Sequence, residues 1–241
     1  MTRPLLVLVP GLLCDRDLWR DQIPALSSLA EVQVADLRPF DSIADMARSI
    51  LDAAPGAFAL AGLSMGGYVA LEVMRRAPGR VTRLALLNTT SRADTEAQTA
   101  RRRHLMALAA AGRFGEVIDA LEGVFLGDRA RRDRTLVSRV REMARRVGPA
   151  AFLRQQRAVI GRRDSADTLR TIACPTLVVA AADDVLIPPA LQQEMHRLVP
   201  GSTLRVIEDC GHLSSMERPD EVTQALASWL GGQAGGGAGH V

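Results

Sequence analysis

Lysine is absent: all 30 basic residues of the 241-residue chain are arginine. A Schiff-base lysine, a P-loop lysine and a Ser-Lys dyad are therefore excluded. Aromatic residues are scarce at 3%, too few for the stacking platform that holds single-stranded nucleic acid. Three cysteines, Cys14, Cys174 and Cys210, lie too far apart for a disulfide framework or a zinc motif and suggest a reducing, cytoplasmic setting. No stretch reaches the roughly 18–20 apolar residues that a membrane span needs. The opening run Leu5-Leu6-Val7-Leu8-Val9 is cut short by Pro10-Gly11 and then meets Asp15-Arg16-Asp17. It lacks a small-residue cleavage site, so it reads as a buried strand and not as a secretory signal.

What is present fits one large globular domain: 47% hydrophobic and 24% charged residues. The net charge of +3 is uneven. Residues 91–170 carry 18 Arg against 10 acids, leaving +8 there and −5 in the rest. Such asymmetry marks either an acidic partner or substrate, or a solvated helical surface.

Short apolar runs alternate with longer periodic stretches, the pattern of a parallel sheet with crossover helices. The expected strands are Leu5–Val9, Val32–Ala35, Ala57–Ala61, Leu84–Leu87, Thr176–Ala181 and Thr203–Ile207, each read as buried on both faces. Helices are expected over Asp17–Leu29, Ser42–Ala53, Met65–Ala77, Ala190–Leu198 and Asp220–Leu230. Residues 92–168 break the alternation: they show helical periodicity, as at Val117, Leu121, Val124 and Phe125, and no strand-like run. They read as a helical insertion that splits a core of residues 1–91 and 169–230. The tail, 231–241, holds six Gly and is expected to be disordered.

The sharpest chemical signal is Gly62-Leu63-Ser64-Met65-Gly66-Gly67, placed between an expected strand and an expected helix. That is the context of a nucleophile elbow, G-x-S-x-G. The sharp turn exposes the Ser64 hydroxyl, and side chains at positions 62 or 66 would strike neighbouring backbone. The competing reading is a chance Gly-rich turn. A serine needs a general base. Of four histidines, His104 falls in the Arg-rich insertion, His196 in a helix and His240 in the tail. His212 alone follows a strand, where catalytic groups gather in an open parallel sheet.

A third, acidic group should orient the imidazole. Asp183 and Asp184 both follow the strand Thr176–Ala181. The spacing to Pro188 favours Asp184, with Asp183 as its rival; Asn88 ends another strand but is no acid. The order Ser…Asp…His is the one this type of elbow takes. Backbone N–H groups of Met65, at a helix N-terminus, and of Leu12, after the turn at Gly11, are the candidate oxyanion donors. Cys14 is a rival nucleophile, but it lacks an elbow and reads as a buried, inert thiol.

With these residues the chain resembles the α/β-hydrolase superfamily, in particular small bacterial carboxylesterases and 3-oxoadipate enol-lactone hydrolases. The matching stretches are Val9-Pro10-Gly11-Leu12-Leu13, Gly62–Gly67, Cys174-Pro175-Thr176-Leu177, Asp184–Pro188, and Gly211-His212 with Glu217-Arg218-Pro219. Pro10-Gly11 stands where many members carry His-Gly, and Ala181 where a Gly often precedes the acid loop. The family's usual two leading strands are expected to be absent. The resemblance implies an α/β fold with a mostly parallel sheet, helices on both faces and residues 92–168 as a small helical cap. It also implies Ser64 as nucleophile, Asp184 as acid, His212 as base, Leu12 and Met65 as oxyanion donors, and no metal or organic cofactor. The expected activity is hydrolysis of a small-molecule ester or lactone, without nucleic acid or membrane as partner. A lyase or cofactor-free perhydrolase on the same scaffold, or a ligand-sensing module, are the alternatives. Arg clusters such as Arg101-Arg102-Arg103, Arg131-Arg132 and Arg145-Arg146 suggest a preference for acidic substrates. Helical geometry turns adjacent residues by about 100°, so at most one of each pair is expected to face a cleft.

Overall fold

The computed structural model describes residues 3–232. Six strands form one sheet in the order β2-β1-β3-β4-β5-β6. They are β1 Leu5–Val9, β2 Glu31–Val34, β3 Phe58–Leu63, β4 Val81–Leu87, β5 Thr176–Ala181 and β6 Thr203–Ile207. All five pairings are parallel. The helices are α1 Ile23–Leu26, α2 Ile43–Ala53, α3 Met65–Arg76, α4 Glu96–Ala110, α5 Phe114–Phe125, α6 Arg134–Ile160, α7 Ala166–Arg170, α8 Pro189–Leu198, α9 Ser214–Glu217 and α10 Pro219–Leu230. The expected Gly-rich tail lies outside the described residues except for Gly231 and Gly232.

Right-handed crossovers decide which face each helix covers. The chain moves one way from β1 to β2, then the other way from β2 to β3, from β3 to β4 and from β5 to β6. Thus α1 lies on one face, joined by α10, and α2, α3 and α8 lie on the other. The reversal beside β1 leaves a crevice at the carboxyl ends of the strands, where ligands bind in open α/β sheets.

Central strands are apolar because both faces are covered: β3 and β5 are buried throughout. The expectation of two-sided burial fails at the edges. Strand β2 is half-buried at best, and in β6 only Ile207 is buried. Strand β3 runs two residues further than expected, and β4 begins three residues earlier, at Val81. The expected helix Asp17–Leu29 is broken. Asp15 accepts a hydrogen bond from the Asp17 N–H at 2.8 Å and starts a short 3-10 turn, Arg16–Trp19. Pro24, with no N–H to donate, then opens the separate α1.

Between β4 and β5 the chain is helical, α4 to α7. Gly148 (φ 79°), followed by Pro149, breaks α6 into two rods. Much of this segment's positive charge is answered by acids. Arg139 and Arg146 of α6 reach across to Asp15, Asp17 and Asp21, which follow β1. Arg131 pairs with Asp128, and Arg141 with Asp119 and Glu122. The charge split is thus in part a docking device between the segment and the sheet domain.

One buried acid predicts a pH effect. Glu72 on α3 is held by Arg75 and Arg76, each within 2.8 Å, which keep its carboxyl at about 2. A carboxylate lowered in the folded state stabilises fully above its unfolded value and loses that contribution as pH falls toward 2. Glu72→Gln is therefore expected to lower the urea midpoint at neutral pH, with the deficit shrinking at acid pH. An equal deficit at both would show that the ion pairs are not its source.

Candidate active site

Ser64 ends β3 and opens α3 in a left-handed conformation, φ 56° and ψ −117°. Such a backbone is strained for a residue with a Cβ and persists only where its surroundings enforce it. Here its N–H donates to the Leu87 carbonyl at 2.9 Å, and Thr89 Oγ1 donates to its carbonyl at 2.8 Å. A Cβ on Gly62 would strike the Gly66 carbonyl, and one on Gly66 the Val9 carbonyl. Gly67 is also obligatory, because a side chain there would meet Thr89.

The loops after β3, β5 and β6 bring three side chains into a chain of contacts. Ser64 Oγ lies 2.8 Å from His212 Nε2, and His212 Nδ1 lies 2.8 Å from Asp184 Oδ2. All three are buried. A carboxylate only accepts, so Nδ1 carries the proton it donates, and Nε2 is left to accept from the serine hydroxyl. Asp184 Oδ1 accepts the N–H groups of Leu186 and Ile187 at 3.0 and 2.9 Å, which fixes the loop around it. Asp183 is exposed and lies outside the relay.

Several neighbours are not evident from the sequence. Asn88, set aside for lacking charge, donates through Nδ2 to Asp184 Oδ2 at 3.2 Å, and its Oδ1 accepts from Ser214 Oγ at 2.6 Å. Phe125 of α5 stacks on the His212 ring at 5.7 Å between centroids. Glu217 accepts the N–H groups of Gly211, Leu213 and Gly127, tying the histidine loop to the end of α5. Burial pushes its carboxyl above the ordinary value, against the pull of those three donors. The Glu217-Arg218-Pro219 stretch was visible in the sequence; its fold partner Gly127 was not.

After β1, the left-handed residue is Leu13 (φ 57°), not Gly11. Its N–H donates to Gln155 Oε1 of α6 at 3.0 Å, so a side chain of the helical segment sets this turn. The Leu12 and Met65 N–H groups meet no protein acceptor among the described residues. Both residues border the same cavity as Ser64, about 270 Å³ in volume, walled by Leu105, Leu121, Phe125 and Val159 from the helical segment.

Cys14 faces a larger cleft of about 610 Å³ that does not include Ser64. Burial, and then the charge of Asp15, raise its thiol far above the usual value, so it is held protonated. His196 is occupied with Ser202 at 2.8 Å, His104 is exposed on α4, and His240 lies outside the described residues. No described helix is long and apolar enough to cross a membrane.

Comparison with known proteins agrees with this architecture. A Thermogutta terrifontis esterase, solved with malate bound, superposes with a TM-score of 0.88 at 31% identity over 95% of this chain and 90% of its own. The enol-lactonase of Burkholderia xenovorans gives a TM-score of 0.87 at 22% identity, covering 96% and 92%. BpoC of Mycobacterium tuberculosis, which bears a non-heme bromoperoxidase name, is 30% identical over 194 residues, 78% of this chain and 73% of that protein. The family model described as "Alpha/beta hydrolase family" matches residues 6–225. The chain belongs to the alpha/beta hydrolase family.

Proposed function

We propose that the protein is a serine hydrolase of carboxylic esters or lactones, working through an acyl-enzyme. The observation that carries this reading is the pair of 2.8 Å contacts joining Ser64, His212 and Asp184, with Ser64 on a strained turn at the cavity floor. Asp184 holds His212 in the tautomer whose Nε2 accepts the Ser64 proton. Ser64 Oγ then attacks the carbonyl carbon, and the developing oxyanion takes hydrogen bonds from the Leu12 and Met65 N–H groups. His212 returns the proton to the leaving alcohol. Water, activated by the same imidazole, cleaves the acyl-enzyme and restores Ser64. Residues 92–168 act as a cap over this centre, supplying the apolar wall.

The esterase and enol-lactonase among the structural neighbours support the substrate class. The test is turnover of a p-nitrophenyl ester and, in a separate sample, labelling with a fluorophosphonate probe. Turnover and a single label on the peptide containing Ser64 are expected. Labelling elsewhere, or no turnover of any ester, would overturn the assignment. The bromoperoxidase name of the Mycobacterium relative favours a second reading, in which hydrogen peroxide takes the acyl group from Ser64 in place of water and leaves as a peracid. Peracid formation faster than ester hydrolysis at equal acyl donor would select it.

A further inference from the structure

Above Ser64 the cavity wall is cationic. Two guanidinium groups share one carboxylate: Arg102 Nε lies 2.6 Å from Asp94 Oδ2, and an Arg162 terminal nitrogen 2.7 Å from Asp94 Oδ1. The Asp94 and Arg162 side chains are only 2% and 5% exposed, so solvent screens this cluster little. Among the described residues Asp94 is the only acid bordering the cavity, against Arg101, Arg102 and Arg162. The wall therefore carries a surplus of two positive charges.

The donors are not equally engaged. Arg162 has four of its five N–H groups on Asp94, Val159 and the Arg92 carbonyl, and its plane sits 4.2 Å over the Tyr68 ring. It is a fixed charge. Arg102 makes three contacts, to Asp94 and to Gln156 Oε1, and keeps two N–H groups. Arg101 is exposed and has no acceptor among the described residues. Gln156 is fully buried; its Oε1 accepts from Arg102, which holds that guanidinium at the cavity wall. A wall with surplus positive charge and free guanidinium N–H groups is answered by an anion with two planar oxygens.

The helical-spacing expectation that only one of Arg101 and Arg102 would face the cleft is therefore corrected. Both border the cavity, and Arg103 does not. The long side chain of Arg101 reaches the mouth while Arg102 is drawn inward by Asp94.

We propose that the substrate is an ester or lactone bearing a second, free carboxylate, received by Arg101 and Arg102 above the Ser64 hydroxyl. This rests on the hydrolase reading and names its substrate class. The apolar wall between serine and arginines takes the carbon chain that separates the two functional groups, and the cavity of about 270 Å³ suits a small molecule.

Two matched pairs test the proposal: p-nitrophenyl butyrate against p-nitrophenyl hydrogen glutarate, and phenyl butyrate against 4-carboxyphenyl butyrate. They place the acid on the acyl or the alcohol side. In at least one pair the acid is expected to be preferred in kcat/KM by about tenfold or more, less so at high salt. That ratio is expected to collapse in Arg101→Gln and in Arg102→Gln. The ratio is taken within each variant, so partial loss of folded enzyme cancels. Arg102→Gln leaves Asp94 with one partner fewer and can fail to fold; Arg101→Gln breaks no ion pair and keeps the test open. Calorimetry on Ser64→Ala, with glutarate and its neutral diamide, reads the acid site without catalysis. Glutarate binding, with none of the diamide, is expected. No acid preference in either pair, a preference unchanged in both variants, or binding of inorganic phosphate in place of glutarate would overturn the proposal. Absence of all ester turnover with glutarate still bound would instead sink the hydrolase reading and leave the acid site standing.

Discussion

Ser64→Ala is expected to lower kcat on a p-nitrophenyl ester by ~10⁴–10⁶-fold without unfolding the protein. In the proposed mechanism the hydroxyl oxygen bonds to the acyl group, so nothing else in the site would replace it. His212, although intact, would have no bound nucleophile to deprotonate. The fold should tolerate the change, because the Ser64 backbone is held by Leu87 and Thr89 and not by its own side chain. The alanine must still adopt the same left-handed φ. A melting temperature close to that of the wild type, together with loss of fluorophosphonate labelling, would complete the result. More than a few per cent of wild-type kcat would mean that acyl transfer does not pass through Ser64.

Asp184→Asn is expected to reduce kcat by ~10⁴-fold, and Asp183→Asn to change it less than about threefold. An amide at position 184 would retain size but could present its NH₂ to His212 Nδ1. That would force the wrong tautomer and point an N–H at Ser64. Asn88 Nδ2 already donates to the same carboxylate oxygen, so the amide would also face an unmatched donor there. Asp183 is exposed and contacts this network only through its backbone N–H to the Cys210 carbonyl. Steady-state rates of the two variants, with circular dichroism to confirm folding, decide the matter; the reverse order of damage would reassign the acid.

Much of this was legible in the chain because the informative positions are local. Gly62, Ser64 and Gly66 declare a strand-to-helix turn by spacing alone, although only the clash at Gly62 is local and the one at Gly66 is with Val9 of β1. The central strands declare themselves by unbroken apolar runs, because both faces are covered. The edge strands mislead for the same reason: Val206 in β6 is apolar yet 42% exposed, and nothing in its local sequence says that no helix covers it. Long-range polar links are likewise hidden. Asn88 stands 96 residues from Asp184, and Gln155 lies 142 residues from Leu13. A neutral amide carries no charge signal, and its partner is set only when the strands align. The arginine surplus was visible as a sum, but not as its division into docking pairs on Asp15, Asp17 and Asp21 and a cavity wall around Asp94.

The contacts of Gln155 with Leu13 and of Gly127 with Glu217 bear on modularity. Through them the helical segment holds one strand-end turn beside the serine and the loop that carries the histidine. A chimera that transplanted residues 92–168 as a cassette, to exchange one specificity for another, would cut both threads. The incoming cassette would need an acceptor at position 155 and an approach as close as that of Gly127, or the proposed nucleophile and base would drift apart under an otherwise well-folded helical segment. The segment proposed to select the substrate is also part of the frame that holds Ser64 and His212 in register.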